Sequence, residues 1–260
     1  GGGGGRGPGG GLLGGGGLGG PAFPPPTSLM DPLLLLEQTL NGLTLGVMLF
    51  LMAAGLTLIF GVMDVINLAH GSLYMIGAFA GATVTARTGS FALGVLAGVA
   101  ASALIALLLE LTLIRRLYAR DHLDQVLATY ALILIANESV KILWGPQPIF
   151  LGTPAALAGS VEIIPGVPYP VYRLAIIGAG LTAAAFLWWL IARTRLGMLI
   201  RAGTTHRAIV EALGVNIQAL FALVFAIGGA LAGLAGMMAG PLLAVQVGMG
   251  EQILILTFVV

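Results

Sequence analysis

Apolar runs alternate with short polar or basic segments along most of the chain. A helix needs about 20 mostly apolar residues to cross a bilayer. Six runs can serve as such spans, and a seventh begins near the end. The runs cover approximately residues 40–60, 73–85, 91–114, 126–144, 171–191, 220–242 and 252–260. The second run is short unless the residues before it extend the helix. The pattern predicts an all-α, polytopic bundle of transmembrane helices with seven spans at least partly present.

The composition indicates a lipid environment. Hydrophobic residues make up 58% of the 260 residues and charged residues only 8%, whereas soluble domains contain about 25% charged residues. The formal net charge of +1 argues against a nucleic-acid partner, which needs a basic surface. The chain contains no cysteine, so thiolate catalysis and cysteine-ligated metal sites are excluded. We predict neither a metal site nor a cofactor.

The first 29 residues differ from the rest. They consist mainly of glycine and proline with one charge, Arg6, so they cannot bury a core and we expect a disordered tail. Met30 begins a more ordinary sequence. Either Met30 is the natural start and the tail is an upstream extension, or the tail is a genuine flexible segment. We expect residues 30–260 to form the transmembrane domain and, because the last run is still apolar at Val260, to be incomplete at the C-terminal end.

Basic residues predict the orientation of the spans, because cytoplasmic loops are enriched in Lys and Arg. Seven of the 11 Lys and Arg residues follow either the third or the fifth run, and residues 145–170 contain none. We therefore place residues 115–125 and 193–218 in the cytoplasm and residues 145–170 outside. The prolines and glycines of this outer loop exclude a long helix, so it forms either a short hairpin or a re-entrant piece.

Residues 61–77, GVMDVINLAHGSLYMIG, place polar groups between two apolar runs. One interpretation is a wet turn at the cytoplasmic end of the first span. The other is an irregular segment at membrane depth, which is tolerated only where protein or a water-filled cavity covers it. The apolar residues within the stretch favour the second interpretation. We expect Ser72 to cap a helix and Gly71 to allow a sharp turn.

The basic segment after the fifth run predicts a short amphipathic helix. Thr204 or Thr205 can cap it, and Gly214 can end it. Its apolar face is expected to consist of Ile209, Val210 and Leu213. Arg207 and Glu211 are four residues apart and form a favourable pair on its polar face. The helix either lies on the membrane surface or docks into a cytoplasmic partner, since an amphipathic helix in a groove is a known mode of recognition.

Glycines recur at helical spacing in several runs. In the sixth run they are Gly229, Gly233, Gly236 and Gly240, which share one helix face. Small residues allow the close backbone contact that holds helices together in lipid. The pattern indicates either general packing within the bundle or a face of the sixth helix that meets a partner subunit.

The stretch GLTLIFGVMDVINLAHGSLYMIGAFAGA, residues 55–82, closely resembles the signature of LivH-like subunits of branched-chain amino-acid ABC permeases. The matching positions are Asn67, Ala69, His70, Gly71, Tyr74, Met75 and Gly77. RRLYARDHLDQVLATYALILI, RTRLGMLIRAG and EALGVNIQALFALVFAIGGALAGLAGMMAG resemble later segments of the same family. The resemblance covers about residues 34–260 and lacks the family's final segments.

The resemblance implies a transport subunit rather than an enzyme, with about eight spans in the full protein. Such a subunit pairs with a second, LivM-like permease in the bacterial inner membrane. Two cytoplasmic ATPase subunits drive it, and an external substrate-binding protein delivers the substrate. Branched-chain amino acids are the expected substrates, with urea or short amides as the alternative within the family.

The resemblance also suggests which residues carry function. A helix break near the substrate pathway is expected at Asn67, His70, Gly71 and Ser72. Asp64 lies at a position where the family varies and is expected to be a surface charge. The helix that couples the permease to its ATPase is expected to include Thr205, His206, Arg207, Glu211, Ala212, Leu213 and Gly214.

The source of energy for transport leaves one alternative function open. The sequence contains no G-x-x-x-x-G-K-[ST] motif, so this chain does not bind ATP through a P-loop. An ATP-independent secondary transporter would need a relay of ionisable groups inside the membrane. The candidate relay residues Asp64, His70, Glu110 and Glu138 are scattered and flank the runs. We therefore favour a permease that depends on separate ATPase subunits.

Overall fold

The computed structural model describes residues 1–3, 32–164, 167–205 and 207–260. The predicted disordered tail, apart from its first three residues, therefore lies outside the described residues. His206 of the predicted coupling helix also lies outside them, and the side chains of Thr205 and Arg207 are not described.

Helices account for most of the described chain. They are α1 (Pro32–Met63), α2 (His70–Thr88), α3 (Phe91–Leu109), α4 (Arg115–Leu117), α5 (His122–Trp144), α6 (Val171–Arg193), α7 (Arg195–Thr205), α8 (Arg207–Ala212), α9 (Ile217–Ala239) and α10 (Met249–Val259). A π-helical turn, Glu110–Ile114, joins α3 to α4. The strands β1 (Ser160–Ile164) and β2 (Val167–Pro170) form a hairpin, the only sheet within the described residues. The predicted all-α class is confirmed.

Five helices, counted over the described residues, are long and apolar enough to cross a membrane. They are Leu34–Met63, Phe91–Leu117, His122–Trp144, Val171–Arg193 and Ile217–Ala239. The helices of the second and seventh predicted spans are different. α2 has 19 residues, is less apolar than these five helices, and has 11 of its residues buried against the rest of the protein. α10 is apolar but has only 11 residues.

α2, α3 and α9 form the centre of the bundle and pack through their glycines. A Cβ atom added to Gly98 would lie 2.6 Å from the carbonyl oxygen of Gly77, and one added to Gly233 would lie 2.8 Å from that of Gly98. Real Cβ atoms do not approach so closely, so only glycine permits this packing. Ser102 of α3 also donates to the carbonyl of Leu73 of α2 at 2.7 Å. The glycine face of α9 packs inside the chain, and its interpretation as a partner-subunit face is wrong.

The predicted outer loop forms the short hairpin, one of the two alternatives. β1 and β2 pair antiparallel, and the hydroxyl of Tyr169 lies 3.1 Å from that of Thr44 on α1. Ile149 pairs with Val245, which follows α9, through backbone hydrogen bonds of 2.9 and 3.0 Å. The predicted outer loop therefore packs against the segment that follows α9 at one end of the bundle.

The connections predicted to be cytoplasmic contact one another at the other end. The N–H of Ile66, which follows α1, donates to Gln125 Oε1 of α5 at 3.2 Å. Arg115 of α4 donates to Gln218 Oε1 of α9 at 3.2 Å. The fold thus agrees with the predicted placement of the outer and cytoplasmic loops at opposite ends of the bundle. Which end faces the cytoplasm remains a prediction.

Candidate functional site

The segment between α1 and α2 is irregular and buried. Residues 64–69 belong to no helix or strand, yet Val65 and Asn67 are each 1% exposed and Ala69 is 2% exposed. Asp64 is exposed and has φ +54°, a conformation that Asp adopts more readily than most residues. The stretch is therefore a buried irregular segment and not a wet turn, and Asp64 is a surface charge as predicted.

His70 lies well inside the bundle. Its Nε2 atom is 3.1 Å from the position that a Cβ of Gly55 on α1 would occupy, and the carbonyl oxygen of Gly228 on α9 is 2.7 Å from the same position. Gly55 precedes the last residue of α1, Met63, by a distance of about 12 Å along the helix axis. The ring of His70, the first residue of α2, therefore lies inside the bundle, about two helical turns back from the end of α1.

α10 begins beside the first turn of α2. A Cβ atom added to Gly71 would lie 2.8 Å from the carbonyl carbon of Gly250, so the two backbones are in direct contact. The first turns of α10 share a cavity with Leu45 of α1, and its last turn shares another with Phe60. α10 therefore runs parallel to α1 and antiparallel to α2. Two helices begin side by side within the bundle and run towards opposite ends.

Two local predictions at the start of α2 are wrong. The N-cap residue is Ala69, and within the described residues neither it nor Gly248 at the start of α10 provides a side-chain cap. Ser72 is the third residue of α2, inside its first turn, so it is not the N-cap. Gly71 is also helical, and its small size allows contact with Gly250 rather than a sharp turn.

The four predicted pathway residues lie at one level of the bundle but face different surroundings. His70 lies between α1 and α9, and Gly71 lies against α10. Asn67 lines a cavity of about 410 Å³ between α1 and α10. Ser72 lines a separate cavity of about 280 Å³ towards α3 and α5. The structure therefore does not bring the four residues together in one site.

Asn67 and His70 contain buried polar atoms that have no hydrogen-bond partner among the described residues. These atoms are Oδ1 of Asn67 and both ring nitrogens of His70. The backbone of Met52 is close enough to interact with the imidazole ring but does not meet hydrogen-bond geometry. Buried polar groups in proteins are nearly always paired with protein or water. An unpaired one therefore marks a position where a water molecule or a ligand group is expected.

Glu110 forms a buried network at the end of α3. Its side chain is fully buried, and Arg115 donates to its two oxygens at 3.3 and 3.2 Å. The hydroxyl of Tyr118 donates to the same carboxylate at 2.9 Å. The π-helical turn brings Glu110 and Arg115, which are five residues apart, to the same side. Sequence reasoning considered Glu110 only for a relay, because a regular α-helix does not align this spacing.

The candidate relay residues Asp64, Glu110 and Glu138 do not form a chain. Asp64 is exposed, Glu110 is paired with Arg115, and Glu138 pairs with Lys141 at 2.5 Å on the surface. This arrangement gives no support to a proton pathway along them.

The basic segment after α6 folds into two helices, where one short helix was predicted. Thr204 and Thr205 both belong to α7, and the Thr204 hydroxyl donates to the carbonyl of Arg201 at 2.8 Å. Thr204 therefore does not cap the second helix, contrary to one of the two predicted alternatives, and the side chain of Thr205, the other alternative, lies outside the described part of the chain. Gly214 has φ +82°, and its N–H donates to the carbonyl of Glu211 at 2.9 Å. This geometry confirms that Gly214 ends the helix.

Residues 211–214, here called the α8 tip, project from the bundle. Glu211, Ala212 and Gly214 are exposed, and Leu213 is 77% exposed. Val210, predicted to share a face with Leu213, is buried. The predicted apolar face is therefore divided, because Val210 packs inwards while Leu213 points outwards.

The comparisons with known proteins agree on one family. Residues 38–260 match the family described as "Branched-chain amino acid transport system / permease component". The chain is 30% identical over 216 residues to the high-affinity branched-chain amino acid transport system permease protein BraD of Pseudomonas aeruginosa, covering 79% of this chain and 70% of that protein. It is 26% identical over 224 residues to LivH of Salmonella typhimurium and 25% identical to LivH of Escherichia coli K12, with the same coverage. No solved structure matches the chain significantly.

The residues matched by the family include the buried irregular segment 64–69, the glycine contacts among α2, α3 and α9, and the α8 tip. Together with the apolar helices, the family match identifies a multi-pass membrane protein that acts as a transport subunit and not as an enzyme. The chain belongs to the permease component family of branched-chain amino acid ABC transport systems.

Proposed function

We propose that this chain forms part of the membrane pathway of an ATP-driven importer for branched-chain amino acids in the bacterial inner membrane. The match of residues 38–260 to the permease family carries the proposal. The buried irregular segment 64–69 supports it. Non-helical backbone at membrane depth is tolerated where protein or a water-filled cavity covers it, and broken helices commonly form transporter binding sites.

We infer that the chain works with a second, LivM-like permease, two cytoplasmic ATPase subunits and an external substrate-binding protein. The α8 tip, together with Thr205, His206 and Arg207 of the same segment of the sequence, is proposed as the ATPase coupling surface. The exposure of Leu213 beside Glu211 supports this role, because a protruding apolar group flanked by charge suits a groove in a soluble partner.

Uptake measurements test the proposed function. Deletion of the gene should abolish energy-dependent uptake of labelled leucine, isoleucine and valine, and expression of this chain should restore it. Unlabelled urea and acetamide should not compete. Uptake that persists after ATP depletion but stops with a protonophore would indicate a secondary transporter. Competition by urea or acetamide would instead assign the chain to the alternative substrate class.

A further inference from the structure

We propose that the junction of α6 and α7 binds the phosphate headgroup of an anionic phospholipid. Trp188, Trp189, Arg193 and Arg195 form this surface, here called the headgroup surface, and all four residues are exposed. Lipid binding at this position is independent of which solute the permease transports.

The aromatic residues place the headgroup surface at the boundary between membrane and water. α6 is long and apolar enough to cross a membrane, and it ends at Arg193. Trp188 and Trp189, which are 62% and 53% exposed, lie in its last two turns. Tryptophan is enriched where the bilayer meets water, because its ring is apolar while its N–H is polar. The last two turns of α6 are therefore expected at the level of the lipid headgroups.

The side chain of Arg193 reaches back to this level. Its guanidinium carbon lies 5.6 Å from the centroid of the Trp188 ring, although Trp188 precedes it by five residues, or about 7 Å along the helix axis. The negative face of an aromatic ring attracts a guanidinium group, so this charge is held beside the membrane rather than extended into water. Lipid phosphates lie in this interfacial layer, which favours a headgroup over a soluble protein as the occupant.

The first turn of α7 adds a second charge. The hydroxyl of Thr194 accepts the N–H of Gly197 at 3.2 Å, so α7 begins directly after α6. Ile200 of α7 is buried, whereas Arg195 is exposed. Two residues of extended chain span at most about 7 Å, so Arg193 and Arg195 can contact the same headgroup.

The positive charge of this segment is not balanced by acidic residues. Residues 188–210 contain four arginines and no Asp or Glu. The other connection predicted to be cytoplasmic, residues 110–124, contains three arginines and three acidic residues. Arginines near a membrane surface attract anionic lipids. Charge complementarity at the headgroup surface therefore favours an anionic phospholipid over a zwitterionic one.

Fluorescence quenching by spin-labelled lipids tests this selectivity. The chain has no native cysteine, so Met198→Cys at an exposed position of α7 accepts a fluorophore that is unique in this chain. The complete importer, with its other subunits made cysteine-free, is reconstituted in phosphatidylcholine vesicles. Phosphatidylglycerol with a nitroxide near the top of its acyl chain should quench the fluorophore more strongly than phosphatidylcholine labelled at the same position. We expect a preference of about fivefold or more, the effect of one arginine near a membrane surface.

Variants that remove a single charge locate the site. Arg193→Gln should lower the preference for phosphatidylglycerol about fivefold, and Arg195→Gln should act in the same direction. Arg116→Gln removes an exposed arginine from the charge-balanced connection and should leave the preference unchanged. Arg193→Gln should melt at the wild-type temperature, so that a lower preference reports lost binding and not misfolding.

Three other results would overturn the lipid site. Equal quenching by the two lipids, or equal effects of Arg193→Gln and Arg116→Gln, would mean that the headgroup surface does not select its lipid. Loss of the preference on addition of excess inorganic phosphate would assign the surface to a soluble anion. Weaker ATPase binding by Arg193→Gln, with an unchanged lipid preference, would assign it to the ATPase. Because solute uptake does not enter the measurement, failure of the proposed function would leave these outcomes unchanged.

Discussion

Single residues in this chain owe their roles to what surrounds them. Glu110 and Asp64 are both carboxylates near the same end of the bundle. Glu110 is fully buried and held by Arg115 and Tyr118, whereas Asp64 lies on the surface. A buried ion pair adds little to the free energy of unfolding compared with apolar packing of the same volume. Removal of one partner is nevertheless destabilising, because it leaves the other charge buried and unpaired. Removal of a single member of the Glu110 network should therefore destabilise the folded protein.

Replacement of Arg115 tests the contribution of this network to stability. Arg115→Met should lower the free energy of unfolding by about 3–5 kcal/mol, because Glu110 would remain buried without its counter-charge. Unfolding in detergent, followed by circular dichroism, measures the change. Arg116→Met removes the neighbouring, exposed arginine and should change stability by less than about 0.5 kcal/mol. Equal effects of the two substitutions would contradict the role given to the buried pair.

Individual helices are shaped by the neighbours that they meet. α2 begins inside the bundle, and its glycines contact α3, α9 and α10. α6 instead presents exposed aromatic residues, including Trp188 and Trp189, on its outer side. Since lipid gives no hydrophobic driving force between helices, the central helices must be held by close contact of small residues. The outer helices use larger side chains against lipid.

A larger residue at the centre should separate these helices. Gly98→Val would place its Cβ 2.6 Å from the carbonyl oxygen of Gly77, and overpacking of this kind costs about 1–3 kcal/mol. Thermal unfolding in detergent should show the loss as a lower melting temperature. Gly178→Val makes the same change on α6, where the added atom meets open space, and should leave the melting temperature unchanged. An unaffected Gly98→Val protein would mean that the centre packs differently.

The whole molecule has two chemically distinct ends. One carries the hairpin and the Ile149–Val245 pair. The other carries the basic connections and the α8 tip. Because positive residues are retained on the cytoplasmic side, we expect the second end to face the cytoplasm and the ATPase subunits.

Thiol accessibility in cells measures this orientation. Gly152→Cys lies in the outer loop and should react with a membrane-impermeant maleimide in intact cells. Leu213→Cys at the α8 tip should react only after permeabilisation, and bound ATPase subunits should protect it. The cysteine-free parent chain is the control for background labelling. Labelling of Leu213→Cys in intact cells would reverse the predicted orientation, and labelling unaffected by the ATPase would remove the tip from the coupling surface.

The sequence by itself determined the helical class, most of the spans and the family. These properties depend on local composition and on ordered motifs, which can be read along the chain. Runs of apolar residues indicate spans because each helix satisfies its own backbone hydrogen bonds in lipid. The end of α8 was also predictable, because a glycine with positive φ is a local requirement.

Only the tertiary structure decided where polar and small residues point. It showed that Ser72 is not a cap and that the α9 glycines meet α2 and α3. It also showed that Asn67 and Ser72, five residues apart, line different cavities. Sequence spacing gives positions along one helix, but it does not show which other helices surround them. The contact of Gly71 with Gly250 joins segments far apart in the chain, so only the packed bundle reveals two helices that begin together inside it.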